Sequence, residues 1–164
     1  MPESFVYEKL INASLRYVSF RPRSEKEFRT FLIQKLKKSK TYAAPLVERA
    51  IARMRELGYV DDMKFALWWI EQRQSFKPKG KRLVILELGA KGVSPRVSEA
   101  AFSSLNDTLT DPVEAAKAVL GKKLNMWRAL DVQTLKKKSY DFLYRRGYDA
   151  DIIGRVVDDL VQKD

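Results

Sequence analysis

Neither cysteine nor histidine occurs in the 164 residues. Without cysteine there is no disulfide framework, no thiol nucleophile and no thiolate metal site, and without histidine the commonest general base and metal ligand are missing as well. Triad hydrolases and zinc mechanisms are thereby excluded. Long apolar runs are also missing. Ala66 to Ile70 and Leu83 to Leu86 are flanked by charge and fall far short of the roughly 18 residues that a membrane-spanning helix needs. The opening MPESFVYEKL has no basic stretch followed by an apolar one, so no secretory signal is expected and the cytoplasm is the expected compartment.

Acidic residues are the minority: 21 Asp plus Glu face 32 Lys plus Arg, a formal charge of +11. That excess attracts polyanions, with nucleic acid first and acidic protein or membrane surfaces behind it. Apolar material is not short. At 45% hydrophobic and 11% aromatic, the chain can form a real core, and a chain of this size buries about 70% of its unfolded surface.

Seven Gly and six Pro punctuate segments of helical period, and no stretch alternates long enough for a hairpin, so the expected class is all-α. Glu8 to Phe20 carries Leu10, Ile11, Ser14, Leu15 and Val18 on one face before Arg21-Pro22 breaks it. Ser24 and Glu27 form a capping box ahead of the stripe Phe28, Phe31, Leu32 and Leu36. A third helix runs from Pro45 to Leu57 and stops at Gly58. The plan then recurs, with Asp61 or Asp62, Ser94-Pro95, Asp111-Pro112, Asp131 and Asp149 as helix starts, and Gly92 and Gly147 as stops.

The recurrence is checkable. Ile51/Met54, Phe102/Leu105 and Val157/Leu160 share one spacing and repeat after 51 and then 55 residues, while Leu88-x-x-Lys91-Gly92-Val93 matches Leu143-x-x-Arg146-Gly147-Tyr148. We therefore expect three tandem three-helix repeats, at 1–60, 61–107 and 108–164, in a modular, elongated and curved array; a single compact bundle is the alternative.

Positive charge gathers in four clusters: Arg21, Arg23, Lys26 and Arg29; Lys35, Lys37, Lys38 and Lys40; Arg73, Lys77, Lys79, Lys81 and Arg82; and Lys136, Lys137 and Lys138 with Arg145 and Arg146. All lie on or just before middle helices, so homologous helices pointing the same way would line up a basic stripe for a phosphate backbone. Runs of lysine are commonly no more than a solvated face, and only the recurrence argues otherwise. Of Trp68 and Trp69, Trp69 is expected in the core with Phe65 and Ile70, and Trp68 at a boundary between repeats. Tyr42, Phe76 and Tyr144 also flank basic clusters, and packing is the expectation for each. Asp61-Asp62 and Asp158-Asp159 read as a helix cap and an exposed face rather than magnesium ligands, because neighbouring helical carboxylates diverge.

The ordered segments Arg21-Pro22-Arg23-Ser24-Glu25-Lys26-Glu27, Gly58-Tyr59-Val60-Asp61-Asp62-x-x-Phe65-Ala66, Lys79-Gly80-x-x-Leu83, Glu87-Leu88-x-x-Lys91-Gly92-Val93 and Phe142-Leu143-x-Arg145-Arg146-Gly147-Tyr148 resemble the RecX regulators of bacterial recombination. The match departs at Ser39 to Ala44, at Trp68 and at Gly121 to Leu130. The resemblance implies three three-helix units and a monomeric, non-enzymatic protein without cofactor. It further implies negative modulation of RecA by binding in the groove of its filament on single-stranded DNA, with duplex DNA as a further partner. Filament growth, ATP turnover and strand exchange would fall. A basic DNA- or RNA-binding module acting without RecA is the alternative that composition alone favours, and a magnesium nuclease is the least supported reading.

Overall fold

The computed structural model describes residues 2–41 and 43–162; Tyr42 lies outside the described residues. Along these the chain forms α1 (Glu3–Ser19), α2 (Glu25–Lys38), α3 (Ala44–Glu56), α4 (Asp62–Ser75), α5 (Lys81–Ala90), α6 (Pro95–Leu105), α7 (Pro112–Leu124), a 3-10 turn (Asn125–Trp127), α8 (Val132–Arg145) and α9 (Ala150–Val161). Extended pairing among the described residues is confined to an isolated parallel bridge between Arg23 and Val60. The class is all-α, as the periodicity requires.

Local chemistry sets the ends. Ser24 accepts from the Glu27 amide while the Glu27 carboxylate accepts from Ser24 N–H, completing the capping box of α2. Asp111 caps α7 through the amides of Val113 and Glu114, and Asp131 caps α8 through that of Thr134. Asp61, rather than Asp62, caps α4 by accepting from Lys64 N–H. Two expectations need correction. The first helix begins at Glu3 instead of Glu8, with extended Pro2 ahead of it and the Glu3 carboxylate in the positive first turn. Asp149 occupies the start of α9, but its side chain makes no capping bond.

Contacts divide the chain into two compact units, Met1–Trp69 with Leu88–Ala101, and Ile70–Glu87 with Phe102–Asp164. Helices α4, α5 and α6 each contribute one part to one unit and the remainder to the other. In the first unit, Leu10 of α1, Phe28, Leu32 and Leu36 of α2, and Val47, Ile51 and Met54 of α3 close one core. Each such side chain, removed from water, contributes about 1.5–3 kcal/mol before its entropy cost. The second unit closes on Val113, Ala116 and Leu120 of α7, Leu143 of α8, Tyr148, and Ile153, Val156 and Val157 of α9. Phe102, expected in the core by its alignment with Ile51, is only partly buried.

Candidate functional site

In the first unit Arg21, Arg23, Lys26 and Arg29 are tied down, whereas Lys35, Lys37, Lys38 and Lys40 are exposed and form no ion pair among the described residues. Arg21 donates through both terminal nitrogens to Glu27, the shorter bond being 2.7 Å, and its guanidinium lies 5.5 Å from the centroid of the Trp68 ring. Glu27 also receives Lys91 Nζ at 3.0 Å. Burial alone would push the Glu27 carboxyl up; the bonds from Arg21, Lys91 and Ser24 N–H outweigh it and hold the pKa below the ordinary glutamate value. Arg23 stacks on Tyr17 at 4.0 Å and donates to the Tyr17 carbonyl. Arg29 pairs with Glu48 and Glu25, and Glu25, held low first by its bond from Arg55, is shared between Arg55 and Arg29. Lys35 is exposed, 6.0 Å from the Phe31 centroid.

These contacts explain why the motif residues occur together. The buried Ser24 hydroxyl donates to the Lys91 carbonyl at 2.6 Å, and the Glu25 amide donates to Asp62 at 2.9 Å. Asp62 is half-buried, which raises its pKa against that one compensating bond. At Gly92, with φ +85°, a Cβ would lie 2.6 Å from Lys26 Cβ. Capping box, Asp62 and the Lys91-Gly92 turn thus form one junction.

The second unit repeats that arrangement with different chemistry. Gly80 N–H donates to the Arg146 carbonyl at 2.8 Å, placing the start of α5 on the turn that ends α8. A Cβ on Gly80 would lie 2.3 Å from Gly147 carbonyl carbon, and one on Gly147, at φ +90°, 2.3 Å from Leu83 Cβ. Beside this contact Arg73 (2.7 Å) and Lys79 both pair with Glu87. Arg82 donates to the Tyr144 carbonyl and lies 4.5 Å over the Tyr144 ring. Lys81 lies 5.4 Å from the Phe102 ring, and Arg146 5.3 Å from Phe142. By contrast Lys77, Lys136, Lys137 and Arg145 form no ion pair among the described residues, and Lys77, Lys137 and Arg145 are exposed.

A cavity of about 640 Å³ opens in the same unit, lined by Arg73, Gln74, Lys79, Phe102, Tyr148 and Ile152 among others. Tyr148 is only 3% exposed and its hydroxyl has no hydrogen-bond partner among the described residues; burial raises its pKa, opposed by the Arg146 charge. The aromatics depart from expectation. Phe76 projects into solvent, Tyr144 is half-exposed with Arg82 over its ring, and Trp69 is half-buried beneath Lys91, not in the core. Tyr140 was not singled out by charge clustering, yet it stacks on Tyr144. The signal was present, since the two stand four residues apart on one helix face. Asp159 pairs with Lys117 at 2.7 Å, so the aspartate pairs serve caps and ion pairs.

Models of the second and third three-helix domains of RecX match residues 61–101 and 110–157, together more than half of the chain. The chain belongs to the RecX family. A regulatory protein RecX of Bacillus subtilis is 28% identical over 93% of this chain and 55% of its own length, and that of Chlorobium phaeobacteroides is 29% identical over 93% and 94%. The chain thus spans about half the length of the Bacillus relative. The crystal structure of RecX from Lactobacillus salivarius superposes with a TM-score of 0.81 at 23% identity, covering 95% of this chain and 97% of that one, a likeness of fold. Of the cations that charge clustering suggested for binding in the first unit, Arg21 is paired with Glu27 at the junction and Arg23 is held on Tyr17 of α1. None of the described helices is long and apolar enough to cross a membrane.

Proposed function

We propose that this chain is a non-enzymatic regulatory protein of the cytoplasm that acts as a monomer on RecA filaments assembled on single-stranded DNA, lowering filament growth, ATP turnover and strand exchange. Its membership of the RecX family carries this reading, and the formal charge of +11 agrees with a polyanionic partner surface. Three three-helix repeats, at 1–60, 61–107 and 108–164, are the framework we assign to it, supported by the recurring junctions at Ser24 with Lys91-Gly92 and at Gly80 with Arg146-Gly147.

Among the eighteen clustered cations, Lys35, Lys37, Lys38 and Lys40 in the first unit and Lys77, Lys136, Lys137 and Arg145 in the second form no ion pair among the described residues, and these are favoured for contact with DNA phosphate or acidic protein. Recruiting Arg21 or Arg29 would first break an internal pair. The charge also supports a second reading, a basic protein that binds DNA or RNA without RecA. Charge reversal of Lys77, Lys137 and Arg145 together to Glu tests the assignment. Binding to RecA-coated single strands, measured by anisotropy, is expected to fall at least tenfold with an unchanged helical circular dichroism spectrum. Unchanged affinity removes these residues from the interface. Equal affinity of the parent protein for coated and bare strands favours the second reading.

A further inference from the structure

On α8, Tyr140 and Tyr144 lie one helical turn apart with ring centroids 6.3 Å from each other and planes within 10°. Neither ring is core: Tyr140 is 40% exposed and Tyr144 is 50% exposed. Arg82 extends the pair, with its guanidinium 4.5 Å from the Tyr144 centroid, and the buried Arg82 Nε has no hydrogen-bond partner among the described residues. Lys136 and Lys137 stand a turn before Tyr140, and Arg145 follows Tyr144. None of these three cations is neutralised by an ion pair among the described residues, while the one acidic residue in this stretch, Asp141, is exposed between them. Two parallel, half-exposed tyrosines edged by uncompensated positive charge are poor as packing, since they leave apolar ring area in water. They match what an unpaired nucleic-acid strand presents: flat bases with an anionic backbone alongside.

We propose that Tyr140 and Tyr144 form a base-stacking platform for single-stranded DNA, with Lys136, Lys137 and Arg145 meeting the adjacent phosphates. Base–aromatic stacking tolerates any sequence, because every base has a π-face, and it requires bases that are not already stacked within a duplex. Arg82 holds Tyr144 in place from α5 and carries the ladder of flat groups one step further. The lysines confer salt-dependent attraction for any DNA, whereas the tyrosines confer preference for single strands. The inference deepens the nucleic-acid side of the function proposed above and does not need RecA for its own test.

The experiment compares the parent chain with Tyr140→Ala/Tyr144→Ala, Tyr140→Phe/Tyr144→Phe and Lys136→Glu/Lys137→Glu. Each is titrated into a fluorescein-labelled thymidine oligonucleotide and a duplex of equal length at two salt concentrations. The alanine pair is expected to lose at least tenfold in single-strand affinity with duplex affinity and salt slope unchanged, and the phenylalanine pair to retain single-strand binding. The lysine pair is expected to weaken both DNAs and to flatten the salt dependence. Equal losses on both DNAs for the alanine pair, no loss at all, or no binding of bare single strands by the parent chain would overturn the platform. RecA inhibition by the parent chain is read separately. Inhibition without single-strand binding removes the platform and leaves the regulatory reading intact; single-strand binding lost with the tyrosines, without inhibition, does the reverse.

Discussion

The two junctions perform one task with opposite chemistry. In the first unit the start of α2 meets the Lys91-Gly92 turn through a buried hydroxyl, a shared carboxylate and two cations. In the second, the start of α5 meets the Arg146-Gly147 turn through a backbone bond with glycine against glycine, flanked by Leu83 and by Arg82 on the Tyr144 carbonyl. A polar junction consumes cations in holding the fold. The glycine junction uses one, Arg82, on the Tyr144 carbonyl, and Lys136, Lys137 and Arg145 of the same unit form no ion pair among the described residues. Availability to a partner therefore varies by position rather than by unit: Arg21 and Arg29 are held by the first unit's own carboxylates, while Lys35, Lys37, Lys38 and Lys40 of that unit are exposed without ion pairs among the described residues.

The largest break in this comparison is expected from Gly147→Ala. It forces a side chain into the left-handed region and drives a Cβ to 2.3 Å from Leu83 Cβ, so about 3–5 kcal/mol should be lost in chemical denaturation. Gly154→Ala is its control, because α9 offers open space at that position. A change between neutral and about 1 kcal/mol of stabilisation is expected there.

Next comes Glu27→Gln, which removes the charge shared by Arg21 and Lys91 and should cost about 1.5–3 kcal/mol at neutral pH. Its pH dependence has a definite sign. The folded pKa of Glu27 is lowered, so its contribution is present above the unfolded value of about 4.3 and is lost as pH falls toward the folded value. Asp62 works the other way. Its folded pKa is raised by burial, so ionising it costs stability as pH rises through the unfolded value of about 3.9 toward the folded one. Asp62→Asn should remove that decline, and Glu27→Gln should reduce the acid-side loss that Glu27 shares with Glu25, as read from unfolding free energies between pH 3 and 7.

Ser24→Ala sharpens the contrast at smaller scale. Loss of the cap is expected to cost about 1–2 kcal/mol in the first unit, and Gly80 offers no equivalent hydroxyl to lose in the second. Phe102→Ala is of the same size. With its ring only partly buried beneath Lys81, about 1–2 kcal/mol is expected, against about 3–5 for the fully buried Phe28→Ala.

The helices were legible because their signals are local. Ser24 with Glu27, Asp111 with Val113 and Glu114, and Asp131 with Thr134 lie within three residues of each other, and each capping side chain accepts the amide bond its position predicts. Partners across long separations were not legible. Nothing near Glu27 announces Lys91, 64 residues away, and so Arg21 reads in sequence as a binding cation when it is half of an internal pair. Phe102 shows the limit of repeat alignment: it occupies the position of Ile51, yet its surroundings do not close over it. For the α8 tyrosines the spacing was visible, but exposure decides between packing and recognition, and exposure is a tertiary property.

ATP turnover by RecA on single-stranded DNA, measured with substoichiometric amounts of this protein at two salt concentrations, tests the central claim most directly. A regulator of the filament lowers turnover at protein levels too small to cover the DNA, and goes on doing so at moderate salt. Inhibition that appears only when the DNA is saturated, and disappears with moderate salt, would contradict it and leave a basic protein competing for the strand.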